Sequence, residues 1–468
     1  RSRSRYGLSV IRRKSRQSHR LKGPELFYRG NVMSRKFILI LLDGLGDRAH
    51  PGFEGKTPLQ AAATPFLDSL AGRGSNGLFH ASLQGQALPS ENAHFAMFGY
   101  APDEFPGRGA LEALGAGISL GLDDVAVLCH FASLQEENGL LRLVQDKVEA
   151  DPLQCAELFN LAGTYECQDI RVEPVQIRGL FGVLVLKGRV SRFITDCNPI
   201  LDGEIMPKVR PWADYTSDPA SIASAEVMNR YLARVFKILN NSDLNNARRR
   251  QGLGAVNGMV TQRAGRLKQV QPFSSRFGLK GATVSSGVVY AGLCRYLGLD
   301  VISMPDDKDP GREISQRVAR AVSLLEDYDF IHIHSKAPDE AGHKKNPVLK
   351  KEAVERLDQG LEKALSGLLQ RDDIILAVTS DHSTPSMGSM VHSGEPVPLT
   401  ICGQGVRVDK VREFNETAAA AGALGFVRGR EFMYMVLNYL DRGKLAGLMD
   451  TPVDQPFWPG QSEPLRLV

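Results

Sequence analysis

The hydrophobic positions of this chain include short unbroken runs that are bounded by turn-forming residues. One run extends from Phe37 to Leu42 and stops at Asp43-Gly44, and another extends from Ile374 to Thr379 and stops at Ser380. Runs of this length without charged interior positions are typical of strands that are buried on both faces of a parallel sheet. A further strand is predicted over residues 328–334.

Segments with helical periodicity alternate with these strands. Thr64-Pro65 precedes a helix predicted over 66–71, since proline is favoured at the first helical position. Apolar residues recur at helical spacing over 312–327, and another helix is predicted over 350–369. The alternation predicts an α/β domain with a parallel sheet and helices on both faces.

The middle of the chain has a different pattern. Short strands are predicted at Gly182–Leu186 and Arg192–Thr195, and a single helix is predicted over 221–250. The strand–helix alternation resumes near Lys280, so we predict that a smaller α+β domain is inserted into the first. The predicted divisions are a basic tail (1–32), a catalytic domain in two parts (33–125 and 283–468) and the inserted domain (126–282).

The composition excludes several classes of protein. Hydrophobic residues make up 43% and charged residues 24% of the chain, which excludes a disordered or collagen-like protein. No apolar run exceeds six residues, whereas a membrane-spanning helix needs about 20, so no membrane partner is expected.

The six cysteines are scattered without a Cys-x-x-Cys pair. This pattern predicts free thiols in a reducing compartment, and we predict a cytoplasmic location.

Basic charge is concentrated at one end of the chain. Residues 1–32 contain ten basic side chains and one acid, Glu25, so the rest of the chain is mildly acidic despite a formal net charge of +4. Such a block of like charge is predicted to be disordered. Three interpretations stay open: sequence upstream of a translation start at Met33, an organelle transit peptide, or a segment that binds nucleic acid or an anionic surface. The block lacks the apolar stretch of a secretion signal.

Aspartate and histidine residues follow the ends of three predicted strands. Asp43 follows the first strand, Asp339 and His343 follow the second, and Asp381-His382 follow the third. The i, i+4 spacing of Asp339 and His343 places both on one face if the segment is helical. Side chains at the carboxyl ends of parallel strands gather at one edge of the sheet. Carboxylate and imidazole together favour zinc or manganese, and His392 is available to complete such a site.

Ser90 is a candidate nucleophile. Glycine and proline residues around 85–107 indicate an exposed loop that presents it. A serine hydroxyl becomes nucleophilic when a metal ion or a base lowers its pKa. Ser90 could equally cap a helix that runs through His94, and the two roles are compatible because a helix N-terminus stabilises negative charge.

The remaining histidines are assigned structural positions. His332 and His334 alternate along a predicted strand and are expected to be strand-face residues with satisfied hydrogen bonds. His19, His50 and His80 have no chemical partner nearby in the sequence and are predicted to lie at the surface.

These residues belong to a series of motifs, which stand in the following order: Leu42–Asp47 (LDGLGD), Gly55–Ala62 (GKTPLQAA), Thr64–Asp68 (TPFLD), Ser90–His94 (SENAH), Gly107–Ala113 (GRGALEA), Asp339–His343 (DEAGH), Ser380–Pro385 (SDHSTP) and His392–Pro398 (HSGEPVP). With these motifs the chain resembles cofactor-independent phosphoglycerate mutase of the archaeal type, within the alkaline phosphatase superfamily. The resemblance extends from about Lys36 to Leu440.

The resemblance implies an alkaline-phosphatase-like α/β domain, an inserted domain that closes over the substrate, and two divalent metal ions. Mn²⁺, Zn²⁺, Co²⁺ and Mg²⁺ are all compatible with aspartate and histidine ligands, and no 2,3-bisphosphoglycerate is required. The residues it implies as metal ligands are Asp43, Ser90, Asp381 and His382 for one ion, and Asp339, His343 and His392 for the other. Ser90 would become a phosphoserine, and His94 would contact the substrate.

The implied reaction interconverts 3-phosphoglycerate and 2-phosphoglycerate, so the expected partner is a small phosphorylated metabolite. Ser90 would take the phosphate from one oxygen of the substrate and return it to the neighbouring oxygen. The closed site must exclude water, because hydrolysis of the phosphoserine would turn the enzyme into a phosphatase.

Several positions depart from the motifs of the family. Where the family has Arg-x-Asn-Phe at the start of the inserted domain, this chain has Leu128-Cys129-His130-Phe131. Phe181 stands where an arginine is expected, and Thr195–Pro199 (TDCNP) replaces Thr-Asp-Thr-Asp-Pro. We expect other arginines to bind the phosphate or the carboxylate, with Arg108, Arg178 and Arg263 as the candidates.

Two other functions stay open. The altered inserted domain favours a metal-dependent phosphatase or phosphotransferase of the same superfamily that acts on another small phosphomonoester. A catalytically silent protein that uses its basic tail to bind nucleic acid is less compatible with the complete set of metal ligands, so a nucleic-acid partner is not expected. The sequence does not indicate an oligomeric state.

Overall fold

The computed structural model describes residues 35–443 and 466–467. The predictions for the basic tail (1–32), for a start at Met33 and for His19 therefore lie outside the described residues. The described residues from Arg35 onward form one compact unit, and a separate inserted domain stays a prediction. Among the described helices, none combines the length and the apolar character that are needed to cross a membrane.

Two sheets contain all the strands of the described residues. The strands are β1 (Lys36–Leu42), β2 (Gly74–His80), β3 (Val125–Glu137), β4 (Leu140–Gln145), β5 (Tyr165–Cys167), β6 (Ile170–Arg178), β7 (Phe181–Gly188), β8 (Gly258–Gly265), β9 (Gly281–Ser285), β10 (Asp300–Ser303), β11 (Phe330–Ser335), β12 (Ile374–Thr379), β13 (Val397–Gly403) and β14 (Gly425–Arg428). Eight of them form the larger sheet and six form the smaller one.

The α-helices of the described residues are α1 (Pro58–Ala61), α2 (Pro65–Gly72), α3 (Ser90–Met97), α4 (Arg108–Gly115), α5 (Pro152–Ala162), α6 (Pro219–Asn240), α7 (Asp243–Arg250), α8 (Phe273–Phe277), α9 (Val288–Leu297), α10 (Pro310–Val322), α11 (Ala337–His343), α12 (Pro347–Leu365), α13 (Glu416–Ala419) and α14 (Glu431–Tyr439). Proline occupies the first helical position of α2, as predicted.

The larger sheet has the strand order β10-β9-β11-β1-β12-β13-β2-β14. β1 pairs in parallel with both β11 and β12, which confirms the predicted α/β architecture. β13 is antiparallel to β12 and to β2, so the sheet is mixed rather than fully parallel. The chain between β12 and β13 contains no helical crossover, and a loop connection of this kind joins antiparallel strands.

The larger sheet carries one hydrophobic core on each face. Phe37, Leu39 and Leu41 of β1 pack into one core, together with side chains of α3, α9 and α14. The alternate residues of β1, Ile38 and Ile40, pack into the other core with side chains of α2, α10 and α12. Each such side chain contributes about 1.5–3 kcal/mol by leaving water, which explains why the strand has no polar interior position.

The smaller sheet is built from residues of the predicted inserted segment. Its order is β4-β3-β7-β6-β5, and β8 also pairs with β3. The strand predicted at Gly182–Leu186 is confirmed as part of β7. The strand predicted at Arg192–Thr195 was wrong, because this stretch contributes only a single bridge between Ile194 and Pro211.

The prediction of one continuous helix over 221–250 was also wrong. Two helices, α6 and α7, occupy this region. The Ser242 side chain accepts a hydrogen bond from the backbone N–H of Asn245, so that Ser242 caps the start of α7 and the chain changes direction between the helices. The side chain of Asn245 then bonds to the backbone of Leu239 and Val256, which holds the corner in place.

Candidate active site

Three adjacent parallel strands end at the same edge of the larger sheet and bring the predicted residues together. Asp43 follows β1, Asp381 and His382 follow β12, and α11 follows β11. Asp339 and His343 lie on α11, as their spacing predicts. His392 reaches the same edge from the loop before β13, where its Nδ1 contacts the carbonyl oxygen of Leu88.

Two clusters of carboxylate and imidazole groups occupy this edge. In the first, the ligand atoms of Asp339, His343 and His392 lie within 4.8 Å of one another. In the second, the ligand atoms of Asp43, Asp339 and His382 also lie within 4.8 Å of one another. Asp339 therefore belongs to both clusters, whereas the sequence analysis placed it with one ion alone.

The distances within the clusters are short. Asp339 Oδ2 lies 3.2 Å from His343 Nε2, and Asp339 Oδ1 lies 3.6 Å from His392 Nε2. His382 Nε2 lies 3.4 Å from Asp43 Oδ1 and 3.2 Å from Asp381 Oδ2. The rings of His382 and His392 stack with centroids 3.8 Å apart, which brings the two clusters side by side.

Ser90 lies beside the second cluster. It is the first residue of α3, where Pro89 occupies the capping position, so Ser90 does not cap the helix with its side chain. Its Oγ atom lies 2.8 Å from His382 Nε2. A hydroxyl group at this position is near the positive end of the helix dipole, which favours its ionised form.

Two buried carboxylate oxygens show that the site fits divalent metal ions. Asp43 Oδ1 and Asp381 Oδ2 are buried and have no hydrogen-bond partner among the described residues. A buried polar atom without a hydrogen-bond partner is unfavourable, so these oxygens are suited to bind a cation. The donor set of carboxylate oxygen, imidazole nitrogen and a serine hydroxyl suits Mn²⁺, Zn²⁺, Co²⁺ or Mg²⁺.

The surroundings of the site shift the pKa values of its two buried aspartates, Asp43 and Asp381, in opposite directions. Burial raises the pKa of the Asp43 carboxyl well above its ordinary value, and the charges of Asp381 and Asp339 raise it further. Burial opposes ionisation of Asp381 too, but His382 and His94 outweigh it and hold the pKa of Asp381 below its ordinary value. Burial lowers the pKa of His382 to about 4, so its imidazole is neutral at neutral pH.

His94 lies behind this site and not in a cleft. Its side chain is 1% exposed, and its Nδ1 contacts the backbone oxygen of Ser90 at 2.8 Å. The same nitrogen lies 3.4 Å from Asp381 Oδ2. The substrate contact expected for His94 stays a prediction, and in this structure its ring is enclosed by protein.

The expectation for His50 and His80 was wrong, whereas His332 and His334 are confirmed as strand residues that each form one hydrogen bond. His50 and His80 are buried, not at the surface. His332 Nδ1 and Thr283 Oγ1 form a hydrogen bond of 3.0 Å. The other ring nitrogen of His332, Nε2, has no partner among the described residues. His334 contacts Asp43 Oδ2 through Nε2 at 3.0 Å, and its Nδ1 likewise lacks a partner.

Three residues at the site were missed by sequence reasoning. Tyr290 donates a hydrogen bond to Asp43 Oδ2 at 2.7 Å, and His334 contacts the same oxygen. Thr384 donates to Asp339 Oδ1 at 2.6 Å. The position of His334 one residue before the end of β11 was a usable signal, but it required knowing that β11 and β1 are neighbours. No signal in the sequence indicated that Tyr290, on α9, reaches Asp43.

A cleft of about 780 Å³ lies between the smaller sheet and the larger one. Its polar lining residues include Arg108, Arg178, Gln262, Ser286 and Lys336, and its apolar lining includes Leu128, Phe181, Val288 and Met304. Arg108 lines the cleft and lies near the candidate nucleophile, Ser90. Its guanidinium is 3.6 Å from the carboxylate of Glu91, the residue after Ser90.

The three candidate arginines have different surroundings. Arg108 also bonds to Glu112 at 2.7 Å, so it is held between two carboxylates. Arg263 does not line the cleft and donates to Glu91 at 2.8 Å. Arg178 lines the cleft and forms no ion pair with any described residue, which leaves its guanidinium available to an anion.

The departures from the family motifs also lie at the cleft. Leu128, His130 and Phe181 are among its lining residues. The His130 and Phe181 rings stack with centroids 5.2 Å apart, and Asp146 holds His130 Nε2 at 2.8 Å. Phe181 is 49% exposed, so an aromatic surface stands where an arginine is expected.

Comparison with known proteins agrees with this fold and site. The family model described as Metalloenzyme superfamily matches residues 35–439. The fold and the site therefore define a member of the Metalloenzyme superfamily, which is consistent with a divalent metal at the two clusters.

Among curated proteins, the chain is 36% identical over 420 residues to 2,3-bisphosphoglycerate-independent phosphoglycerate mutase 2 of Methanocaldococcus jannaschii, which covers 88% of this chain and 94% of the relative. It is 35% identical over 423 residues to the 2,3-bisphosphoglycerate-independent phosphoglycerate mutase of Pyrococcus furiosus. This match covers 89% of this chain and 100% of the relative. The chain belongs to the family of 2,3-bisphosphoglycerate-independent phosphoglycerate mutases, and the resemblance seen in the sequence is confirmed.

Two solved structures are similar as well. A protein from Pyrococcus horikoshii superposes with a TM-score of 0.72 at 30% identity, over 89% of this chain and 100% of the other. The cofactor-independent phosphoglycerate mutase from Thermoplasma acidophilum superposes with a TM-score of 0.61 at 29% identity, over 87% of this chain and 100% of the other.

Proposed function

We propose that this chain is a metal-dependent enzyme that interconverts 3-phosphoglycerate and 2-phosphoglycerate through a phosphoserine at Ser90. The observation that carries the proposal is the position of Ser90, whose Oγ lies 2.8 Å from His382 at the start of a helix and beside two clusters of carboxylate and imidazole groups. The names of the archaeal relatives agree with this activity.

The proposed metal ligands are those that the resemblance implies. Asp43, Ser90, Asp381 and His382 would hold one divalent ion, and Asp339, His343 and His392 would hold the other. Two such ions would lower the pKa of the Ser90 hydroxyl and stabilise charge on the attacking and leaving oxygens. Asp339 lies within reach of both positions and would couple them.

The proposed reaction has two phosphoryl transfers. In the first, the Ser90 hydroxyl gives up its proton and Oγ bonds to phosphorus, while the bond between phosphorus and the 3-oxygen of the substrate breaks and that oxygen takes up a proton. In the second, the 2-hydroxyl of glycerate loses its proton and bonds to phosphorus, while the Ser90 ester breaks and Oγ takes up a proton again. Glycerate must stay bound and reorient between the steps, so water has to be kept out of the cleft.

We propose that His94 positions Asp381 and does not bind substrate. The support is its burial and the 3.4 Å separation between its Nδ1 and Asp381 Oδ2.

We also propose a cytoplasmic location, which rests on six free cysteines. Closure of the smaller sheet over the cleft is proposed as the means of excluding water.

The substrate anions are proposed to bind Arg178 and Arg108 in the cleft. Arg178 has no ion pair among the described residues, whereas Arg108 already balances Glu91 and Glu112. Arg263 is proposed to hold Glu91 and, through it, the start of α3, since its guanidinium donates to that carboxylate.

An Arg178→Ala variant is expected to raise KM for 3-phosphoglycerate about tenfold or more while kcat changes little. A charge-assisted hydrogen bond that is made equally to the substrate and to the transition state contributes to binding alone. Steady-state kinetics of the mutase reaction measure both parameters. Arg171→Ala is the matched control, because Arg171 lies on the same strand, β6, and pairs with Glu166 and Glu173 outside the cleft. An unchanged KM in Arg178→Ala would reject the assignment.

Binding of Mn²⁺ to the metal-free protein is expected to release a proton and to strengthen as the pH rises. Burial and the charges of two neighbouring carboxylates raise the pKa of Asp43 well above its ordinary value, so a cation that binds there competes with a proton. The affinity should rise by up to about tenfold per pH unit while Asp43 is protonated. Calorimetric titrations in two buffers of different ionisation enthalpy count the protons. Equal affinity on the acid and alkaline sides of neutrality, without proton release, would contradict the expectation.

A phosphatase that acts on another small phosphomonoester is the second candidate function. The specific observation in its favour is the apolar surface of Leu128 and the half-exposed Phe181 in the cleft, where arginines are expected. Assays with 3-phosphoglycerate and a panel of other phosphomonoesters, each with the four metals in turn, separate the two. Turnover of 3-phosphoglycerate to 2-phosphoglycerate without release of phosphate supports the mutase, and release of phosphate from another ester supports the phosphatase.

A further inference from the structure

We propose that Tyr290 is a positioning residue that, together with His334, fixes the orientation of the Asp43 carboxylate so that its Oδ1 atom faces the metal site. This inference rests on the proposed role of Asp43 as a metal ligand and goes beyond it, because it assigns roles to two residues outside the ligand set.

The two oxygens of Asp43 have opposite surroundings. Oδ2 accepts a hydrogen bond from the Tyr290 hydroxyl at 2.7 Å and contacts His334 Nε2 at 3.0 Å. Oδ1 has no hydrogen-bond partner among the described residues and lies 3.4 Å from His382 Nε2, on the side of the second cluster. The two contacts therefore occupy one oxygen and leave the other for a cation.

A carboxylate needs such contacts in order to point in one direction. The terminal torsion of an aspartate side chain has a broad two-fold preference, so the backbone alone does not decide which oxygen faces the site. Two contacts to the same oxygen, Oδ2, restrict this rotation. All three residues are buried, with Tyr290 7% exposed and the other two fully enclosed, so water does not replace either contact.

The position of Tyr290 is itself fixed by close helix packing. Tyr290 lies in the first turn of α9, and its ring packs on His334 with centroids 4.1 Å apart. α9 lies directly against α4, where a Cβ atom at Gly292 would be 1.7 Å from the carbonyl oxygen of Leu111. The absence of a side chain at Gly292 lets the two backbones touch, which leaves α9 little freedom to shift.

The carboxylate that Tyr290 holds lies close to the proposed nucleophile. Asp43 Oδ1 lies 3.4 Å from His382 Nε2, and the same nitrogen lies 2.8 Å from Ser90 Oγ. Loss of the Tyr290 hydroxyl should therefore disturb the metal site and the chemical step, and should leave binding of the substrate anions unchanged.

The test compares Tyr290→Phe with Tyr296→Phe in the full chain after removal of metal with a chelator. Tyr296 is the matched control, because it lies on the same helix and its hydroxyl donates to the backbone oxygen of Glu104, away from the site. Calorimetric titration with Mn²⁺ is expected to show affinity about tenfold to a hundredfold weaker in Tyr290→Phe, and wild-type affinity in Tyr296→Phe. The visible absorption spectrum of bound Co²⁺ should change in Tyr290→Phe alone, and kcat should fall without a change in KM.

Equal Mn²⁺ affinity and an unchanged Co²⁺ spectrum in Tyr290→Phe would overturn the inference, as would equal weakening in both tyrosine variants. If Tyr290→Phe does not fold, His334→Asn removes the other contact to Oδ2 and is expected to weaken Mn²⁺ binding in the same way. Wild-type affinity in that variant would also overturn the inference. The titration uses no substrate: a wild-type chain that binds Mn²⁺ but does not convert 3-phosphoglycerate would reject the mutase and still test the positioning role, whereas absence of Mn²⁺ binding would overturn both.

Discussion

A Ser90→Ala variant is expected to lose at least about 10⁴-fold in kcat for the interconversion of 3-phosphoglycerate and 2-phosphoglycerate. Without the hydroxyl there is no group to carry the phosphate between the two oxygens of the substrate, and removal of a nucleophile from other hydrolases and transferases has effects of this size or larger. Formation of 2-phosphoglycerate, followed by a coupled assay, measures the loss. Rapid quenching and mass spectrometry of peptides are expected to find phosphate on Ser90 in the wild type.

The control for this variant is Ser82→Ala. Ser82 lies in the loop before α3, and its hydroxyl bonds to the side chain of Gln86 and to no site residue. Its removal should leave kcat within about twofold, since surface substitutions of this kind are nearly neutral. Full activity in Ser90→Ala, with no phosphoserine in the wild type, would reject the proposed mechanism.

An Asp339→Asn variant is expected to lose both metal ions and about 10³-fold or more in kcat. Asp339 belongs to both clusters, and the amide that replaces its carboxylate keeps the shape and the contact with Thr384 while it removes the negative charge. A metal ion that polarises a phosphoryl oxygen contributes several kcal/mol to the transition state, and each 1.4 kcal/mol is a factor of ten in rate. Metal analysis of the purified protein and Mn²⁺ titration measure the occupancy.

Two further variants sharpen this prediction. His343→Gln alters one cluster alone and should reduce the number of bound ions by one, not by two. Glu340→Gln changes the neighbouring carboxylate on α11, which pairs with Lys336 at 3.9 Å and belongs to neither cluster, and should bind metal as the wild type does. Retention of one tightly bound ion in Asp339→Asn would show that the two positions do not share this ligand.

The parts of the fold that the sequence predicts well are those where one local pattern has one structural solution. The run of apolar residues after Lys36 is confirmed as β1 at the centre of the sheet, and the 374–379 strand is confirmed as β12 with the same limits. Both strands are buried on both faces, so their interior positions are apolar. The i, i+4 pair Asp339 and His343 is confirmed on one helix for the same kind of local reason.

Predictions failed where the outcome depended on distant neighbours. The direction of β13 follows from a connection without a helix and from pairing with β2, which is more than 300 residues away in the chain. The break between α6 and α7 depends on Ser242 and on bonds from Asn245 to Val256, none of which changes the helical periodicity around them. His50 and His80 were expected at the surface, yet both are buried by packing with other parts of the chain.

The sequence by itself determined which carboxylates and imidazoles follow the ends of the strands, and it offered Ser90 as a candidate nucleophile near the start of a helix. The comparison of its motifs with the family added that Leu128 and Phe181 replace arginines. The tertiary structure decided how these groups are shared and oriented. Asp339 serves two clusters because β11 lies next to β1, and Asp43 turns one oxygen toward the site because Tyr290 and His334 occupy the other. Composition and spacing specify which groups are present, whereas hydrogen-bond partners across a sheet are set only when strands and helices pack.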